Sequence, residues 1–286
     1  MQELDPRVIR VTIEVQGETT TLDTRTAVSF CVTKTANPLM NEAEIRIANL
    51  PHSIRDHLLT QLTPWVKLPR KGTVMLEVGR VSTGLTKLFQ GSIVSAMIGQ
   101  PPDIVVALKC KTGYYFNATL CAVSHPACTN LSAICKQTAD SMGLSMIFEA
   151  TDKQIANYNH TGPMGAHVRK IAESGGVTAF VDDNELVVTN EGEPRKVYTL
   201  VVNAETGMIG VPMFTEQGLQ CKMLLDTKLR IGGKIEVTSK ANPAVNGTYT
   251  AFKIQYEGAN RDTPWYMTAS TMPPRSVMSG NLTNLG

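Results

Sequence analysis

Apolar and polar residues alternate over short segments at both ends of the chain. The segments with this pattern or with many β-branched residues cover residues 8–15, 27–34, 42–50, 73–81, 86–97, 104–110, 197–202, 219–225, 234–239, 248–256 and 265–271. Period-two alternation is typical of strands with one buried face. Glycine, asparagine or proline separates most of the segments, as expected for turns. The pattern therefore predicts a mainly β protein.

Helical spacing is concentrated between these two β regions. In residues 129–142 the apolar side chains recur every three or four positions; Thr129 or Asn130 can cap this helix, and Gly143 ends it. A short strand is predicted at residues 144–149 and a second helix at residues 165–174, stopped by Gly175-Gly176. These elements predict a small α/β module in the middle of the chain.

Two further patterns complete the predicted fold. Asp182-Asp183-Asn184 joins residues 177–181 to residues 185–189 as a hairpin turn. In the first β region, a short helix after Pro51 places Ile54, Leu58 and Leu62 on one face.

The two β regions share a layout. Residues 71–96 and 232–258 each contain a glycine, an alternating strand, a polar turn and a second strand. We therefore predict a mainly β fold with an α+β part: two similar β-barrel modules separated by a small α/β module. The predicted boundaries are a first barrel at residues 1–113, the α/β module at 114–193, a second barrel at 194–272 and an extended tail at 273–286.

Composition limits the functional classes. The chain has 286 residues, 42% hydrophobic and 18% charged, and a net charge of +2, so it can form a packed core. The middle module is acidic and its neighbours are mildly basic, which is too weak a bias for a nucleic-acid patch. No apolar run is long enough to span a membrane, so no membrane insertion is expected. The N-terminal residues lack the basic start and apolar block of a signal peptide.

Candidate chemical groups have simpler structural interpretations. Cys121, His125, Cys128 and Cys135 lack the paired spacing of zinc ligands, and we expect all six cysteines to be reduced. The five histidines lie in no catalytic motif: His52, His57, His125, His160 and His167. His167 is expected at the surface or as a helix cap.

The densest carboxylate group is Asp182, Asp183 and Glu185, which we interpret as turn residues rather than a hydrolytic pair. No glycine pattern forms a phosphate loop. We therefore predict no catalytic, cofactor-binding or metal-binding residues, and no enzymatic activity.

Two stretches resemble a known family. FCVTKTANPLMNEAEIRIANLPHSIRDHL, at residues 30–58, resembles the opening module of phage baseplate hub proteins, with matches at Asn41, Ala43, Glu44, Ile47, Asn49 and Leu50. NAETGMIGVPMFTEQGLQCKMLLDTKLRIGGKI, at residues 203–235, is similar to the start of the hub's later barrel. The matching positions there are Thr206, Gly207, Met208, Ile209, Gly210, Pro212, Leu229, Gly232 and Gly233. The middle module is similar to the α/β insertion of the same hubs.

The resemblance, over residues 8–272, implies the hub of a contractile phage tail, related to the late-control-D-like proteins. It implies a homotrimer whose two barrels per chain form a pseudo-sixfold ring joining the hexameric tail tube to the trimeric central spike. Other baseplate proteins would be neighbours, and DNA and the tape measure protein would pass through the ring. The expected location is the virion, after assembly in the host cytoplasm.

Within this interpretation, the turn at residues 206–212 is structural, because Gly207 and Gly210 supply backbone angles that other residues resist. The tail after Met272 is expected to order only against a neighbour.

Two alternatives remain open from the residues. A tail-associated cell-wall hydrolase would need an acid and its partner in a cleft, or a zinc site. A receptor- or glycan-binding baseplate protein would need exposed aromatic residues, for which Trp65, Trp265 and Tyr266 are the only hints.

Overall fold

The computed structural model describes residues 5–36, 38, 41–62, 72–100 and 104–273. The predicted tail beyond residue 273 and Trp65 lie outside these residues. The chain packs as two compact units, each assembled from separate stretches. Unit 1 comprises Met1–Thr33, Asn41–Tyr114 and Gln255–Tyr266, and unit 2 comprises Lys34–Met40, Tyr115–Ile254 and Met267–Gly286. Unit 2 thus holds both the α/β region and most of the later strands, and the finer boundaries given above stay predictions.

Seven strands and one helix begin in unit 1: β1 (Arg7–Val15), β2 (Glu18–Leu22), β3 (Val28–Thr35), β4 (Glu42–Ala48), α1 (His52–Leu62), β5 (Gly72–Arg80), β6 (Gly84–Ile98) and β7 (Val105–Lys111). The strand order is β2-β1-β5-β6-β7-β4-β3, and every pairing is antiparallel. The sequence reasoning missed only β2, a short threonine-rich strand.

Alternation in the sequence becomes alternation in burial. In β1, Ile9, Val11 and Ile13 are buried while Arg10 and Glu14 face solvent. Helix α1 buries Leu58 and Leu62, as its apolar spacing predicted. The core of unit 1 therefore forms from one face of the strands together with one face of the helix.

Unit 2 contains the predicted α/β region. Its elements are the 3₁₀ turn Tyr114–Asn117, β8 (Leu120–Ser124), β9 (Cys128–Asn130), α2 (Leu131–Met142), β10 (Ser145–Phe148), β11 (Gln154–Ala156), β12 (Asn159–Pro163), α3 (Met164–Gly175), β13 (Val177–Asp182) and β14 (Glu185–Asn190). Strands β10, β14 and β13 form one sheet, and the pairs β8–β12 and β9–β11 are small additional ladders.

The ends of α2 correct one detail of the predicted capping. Asn130 occupies the N-cap position, but its side chain makes no capping hydrogen bond. Asp152 performs this role instead: its carboxylate accepts hydrogen bonds from the Ser132 backbone N–H at 3.0 Å and from the Ser132 hydroxyl at 2.6 Å. These bonds hold the pKa of Asp152 below its usual value. Gly143 ends the helix in the left-handed conformation (φ +67°), as predicted.

The later strands are β15 (Leu200–Val202), β16 (Met208–Thr215), β17 (Gly218–Leu224), β18 (Lys234–Val237), β19 (Gly247–Ala259) and β20 (Trp265–Met272), with a 3₁₀ turn at Pro243–Val245. Strands β3, β19 and β20 each contribute residues to both units. The order continues β16-β17-β20-β19, with β18 pairing to both β19 and β15. Strand β15 runs parallel to β18, whereas the pairings of unit 1 are antiparallel.

The mainly β class with a small α/β part is confirmed, but closed barrels are not found. Both echoed segments form antiparallel hairpins, β5–β6 and β18–β19. The pairings among the described strands follow open paths and close no ring. The parallel β15–β18 pair also distinguishes the later strands from unit 1. No helix in the described ranges is both long and apolar enough to cross a membrane.

Candidate functional site

The cysteine and histidine side chains of residues 121–135 do not come together in one site. Cys128 is exposed on β9, Cys135 is buried in α2, and Cys121 and His125 are half-buried. Among the residues that the structure describes, no three His, Cys, Asp or Glu side chains are arranged to hold a metal ion. All six cysteines are free thiols, and burial raises the pKa of Cys135 to about 12, so this thiol stays protonated.

The histidines of unit 2 instead form an aromatic cluster. The rings of His160 and His167 stack with centroids 4.7 Å apart and planes within 2°. Tyr158 packs against His167 at 5.7 Å and against His125 at 5.8 Å. The prediction that His167 lies at the surface was wrong: only 1% of it is exposed, because α3 turns it towards β12.

The charge state of His167 follows from this packing. Burial lowers its pKa to about 4, and His160, His125 and Lys170 add to the effect because each disfavours a further positive charge. Its Nε2 and the Tyr158 hydroxyl have no hydrogen-bond partner among the described residues. His167 is therefore a neutral packing residue of this cluster at neutral pH.

Mild acid is expected to destabilise unit 2 through His167. The unfolded chain binds this proton near pH 6.5 and the folded chain only near pH 4, so the free energy of unfolding falls as pH decreases through that interval. Urea unfolding at a series of pH values measures the slope, which His167→Leu should flatten. Gln137→Leu, at an exposed residue of α2 that binds no proton, is the control and should leave the slope unchanged. If His167→Leu has the same slope as the unsubstituted chain, His167 is not the source of the pH dependence.

The carboxylate group at the β13–β14 hairpin has a role that the sequence reasoning missed. The turn itself is as predicted, with Asp182 opposite Glu185 and Asp183 at φ +53°. Asp182 and Asp183, however, are buried, and both accept hydrogen bonds from the buried ammonium group of Lys34, at 2.7 and 2.9 Å. The partner is 148 residues away in sequence, so no local pattern indicated it.

Two arginines extend this buried charge cluster within unit 2. Arg195 lies 3.8 Å from Asp182 and 3.7 Å from Glu185, and Arg230 lies 3.9 Å from Asp183. Burial by itself would raise the pKa of Asp182, but the hydrogen-bonded Lys34 and the arginines outweigh it and hold the pKa below its usual value. An ionised, salt-bridged carboxylate does not suit the general acid that a glycosidase needs. The cluster instead ties the hairpin to the end of β3 and to two loops.

The glycine-rich segment at residues 206–212 is a turn followed by a strand, which corrects the prediction of a turn throughout. The Asn203 carboxamide oxygen accepts hydrogen bonds from the backbone N–H groups of Glu205 and Thr206, both at 2.9 Å, and closes the turn. Strand β16 then begins at Met208. The predicted need for unusual backbone angles is confirmed, with φ +102° at Gly207 and +73° at Gly210.

Strand β16 exposes apolar side chains on both of its faces. Val211, Met213 and Phe214 are 50–61% exposed, and Leu224 of the adjacent β17 is 48% exposed. We call these four residues the β16 edge. Among the described strands, β16 pairs only with β17, and their register shifts between Ile209 and Met213. A group of exposed apolar side chains at a sheet edge is typical of a surface that another molecule covers.

Changing Gly207 to valine should disturb this surface. A β-branched residue at φ +102° costs about 1–3 kcal/mol, and its Cβ would lie 3.2 Å from Leu224 of the β16 edge. We expect both a lower urea midpoint and loss of assembly. Gly17→Val is the matched control, because Gly17 has φ +82° but no neighbour within 4 Å. Gly17→Val should lose comparable stability yet still assemble. If both variants lose assembly to the same extent, the contact between residue 207 and Leu224 does not explain the loss.

A comparison with protein-family models identifies the family of the chain. The model of the family described as "Baseplate hub gp41" matches residues 8–271. The chain belongs to this baseplate hub family. No curated protein sequence matches the hub in a direct comparison.

Solved structures with the same fold come from several tail-like systems. The tail protein from Neisseria meningitidis MC58 has a TM-score of 0.62 at 9% identity, covering 92% of the hub and 96% of that chain. The 43 kDa tail protein of prophage MuSo2 from Shewanella oneidensis has a TM-score of 0.61 at 8% identity, covering 93% of the hub and 98% of that chain. The E. coli c3393 protein has a TM-score of 0.59 at 10% identity, covering 91% of the hub and 76% of that chain. It is described as a type VI secretion component with structural similarity to the T4 tail proteins gp27 and gp5. These likenesses establish the fold, and the family match identifies a structural phage-tail component of the virion.

Proposed function

We propose that the hub assembles as a homotrimer whose ring joins the hexameric tail tube to the trimeric central spike. The family match over residues 8–271 is the observation that carries this proposal. The exposed β16 edge supports it, because a ring subunit must keep apolar surface available for its neighbours. Two β-rich regions per chain would give three copies six such regions around the axis, a number that matches a hexameric tube.

In this role the hub forms a passage and catalyses no reaction. DNA and the tape measure protein would pass through the ring, other baseplate proteins would surround it, and assembly would take place in the host cytoplasm. The nearly balanced charge suits a channel that does not retain DNA. We propose no enzymatic activity, because the only buried carboxylate cluster in the described ranges is neutralised by Lys34 and arginines.

No specific observation favours the two alternatives. Trp265 is buried, packs edge-on against Phe30 at 6.3 Å, and has the Arg7 guanidinium over its ring, so it is a core residue of unit 1 rather than a glycan platform. A hydrolase would clear a peptidoglycan suspension in a turbidity assay. We expect the purified hub to leave the turbidity unchanged.

Electron microscopy of the intact tail tip tests the proposal. Three copies on the tail axis, between tube and spike, are expected. Six copies, or a position away from the axis, would contradict it. Native mass measurement of the hub, alone and mixed with its spike protein, provides an independent check of the stoichiometry.

A further inference from the structure

Unit 1 carries a groove that the proposed function has not yet used. It has a volume of about 630 Å³ and lies on the outer faces of β3, β4 and β7. Small side chains such as Ser29, Ala48 and Ala107 line it, and Met97 and Ile98 at the end of β6 are 45% and 47% exposed beside them. We call this feature the unit 1 groove. Its volume falls within the range of ~300–1,000 Å³ typical of binding clefts.

The groove and the β16 edge are the two concentrated apolar surfaces of the described chain. Among the described residues, consecutive large hydrophobic residues are exposed at two places, Met97-Ile98 and Met213-Phe214. The first lines a groove, and the second lies on a strand at the end of a sheet. The two surfaces consist of different residues, so a contact between them would be head to tail rather than isologous.

Strand β16 is better suited to docking through side chains than through backbone pairing. Pro212 has no N–H group to donate, and the register shift beside it interrupts the line of backbone groups. Both features hinder the addition of a further strand. The exposed side chains of Val211, Met213 and Phe214 remain as the available contact surface.

Charge permits the two surfaces to meet. No residue of β16 (Met208–Thr215) is charged. The groove lining includes two acidic residues, Glu44 and Asp262, and two basic residues, Arg46 and Arg261, so its charges balance. Glu44 and Arg46 are paired to each other at 2.8 Å and need no partner from the incoming strand. An uncharged apolar strand therefore suits this groove better than a charged segment would.

We propose that the β16 edge of one copy docks into the unit 1 groove of a second copy. This inference rests on the proposed homomeric ring and supplies its subunit contact. Because the two surfaces differ, each copy offers one of each, and the contact repeats head to tail until the ring closes. Phe214 enters the groove beside Met97 and Ile98.

Two substitutions test the contact from opposite sides. Phe214→Asp places a charge on the β16 edge, and Ala107→Glu places one on the groove floor. Each should weaken self-association roughly 30-fold or more, as removal of a central interface residue does. Sedimentation of the purified chain over a concentration series gives the association constants. Leu120→Asp and Val81→Asp are the controls, one in each unit, at hydrophobic residues 76% and 66% exposed outside both surfaces.

Photo-crosslinking tests the location without relying on a destabilised variant. Phe214 is replaced with p-benzoylphenylalanine, and the protein is mixed with a heavy-nitrogen-labelled second copy. Mass spectrometry should find mixed-label crosslinks to the segment around Met97 and Ile98. Crosslinks to another region of the second copy would overturn the inference.

The outcomes separate this inference from the proposed function. Self-association that survives both Phe214→Asp and Ala107→Glu overturns the docking contact and leaves the homotrimer standing. A wild-type chain that self-associates neither alone nor in isolated tails overturns the homotrimer, and the docking contact with it. Loss in both variants with retention in both controls supports the contact.

Discussion

Lys34→Met is expected to lower the free energy of unfolding by about 3–5 kcal/mol. Lys34 is buried, and its ammonium group donates hydrogen bonds to Asp182 and Asp183, which are buried as well. Removing the ammonium leaves two carboxylates that are shielded from water and deprived of their nearest positive charge. Urea unfolding followed by circular dichroism measures the loss.

A second variant distinguishes lost pairing from a packing defect. Adding Asp183→Asn to Lys34→Met removes one of the stranded carboxylates, so part of the stability should return. Lys136→Met, at an exposed lysine of α2, is the matched control and should change stability by less than about 0.5 kcal/mol. If the double variant is less stable than Lys34→Met alone, the electrostatic explanation is wrong.

The same cluster predicts a pH window. The pKa of Asp182 is held below its ordinary 3.8, so the stabilisation from this carboxylate is present above that value and is lost as the solution is acidified through the folded pKa. The pKa of Lys34 is raised above 10.5, so its stabilisation is present below that value and is lost in stronger alkali. Asp182 and Lys34 are therefore both charged at neutral pH.

Gly218→Ala is the second substitution from which a large effect is expected. Gly218 begins β17 with φ +127°, and an added Cβ would lie 2.2 Å from the backbone carbonyl oxygen of Thr271 in β20. The backbone angle alone costs about 1–3 kcal/mol, and forcing neighbouring strands apart adds about 1–3 kcal/mol. We expect a marked fall in the urea midpoint of unit 2.

Gly210→Ala separates the two contributions. Gly210 lies on the neighbouring β16 at φ +73°, with no atom within 4 Å of an added Cβ, so this variant has the strained angle without the collision. It should lose stability, but clearly less than Gly218→Ala. Equal losses would mean that β20 moves aside at no cost and that the backbone angle accounts for the whole effect.

Local patterns in the sequence were enough to predict most of the secondary structure. Alternation predicted β1, β3, β4, β5 and β7, because each of these strands has one buried and one wetter face. Helical spacing and glycine predicted α2 and its end at Gly143, and the Asp-Asn turn predicted the β13–β14 hairpin. These signals depend on neighbours within a few residues. The family resemblance was readable for the same reason, since its motifs are short and contiguous.

Strands with weak alternation were missed. Strand β2 is threonine-rich and mostly solvent-facing, so no apolar period marks it. Strand β16 has a shifted register and contains Gly210 and Pro212, so its sequence predicted a turn. Its apolar residues face outwards and give no pattern of a buried face. Period-two reasoning depends on a buried face, and a sheet edge that carries exposed apolar residues on both faces does not supply one.

Tertiary structure alone decided the environments of the polar residues. Asp182 and Asp183 are turn residues by sequence, yet the ammonium group 148 and 149 residues away makes them members of a buried ion cluster. His167 is a polar residue near a helix start by sequence, yet stacking on His160 buries it. Asp152 caps α2 from outside the helix. Backbone conformation follows from local sterics and periodicity, whereas burial and pKa depend on which distant segments the fold brings together.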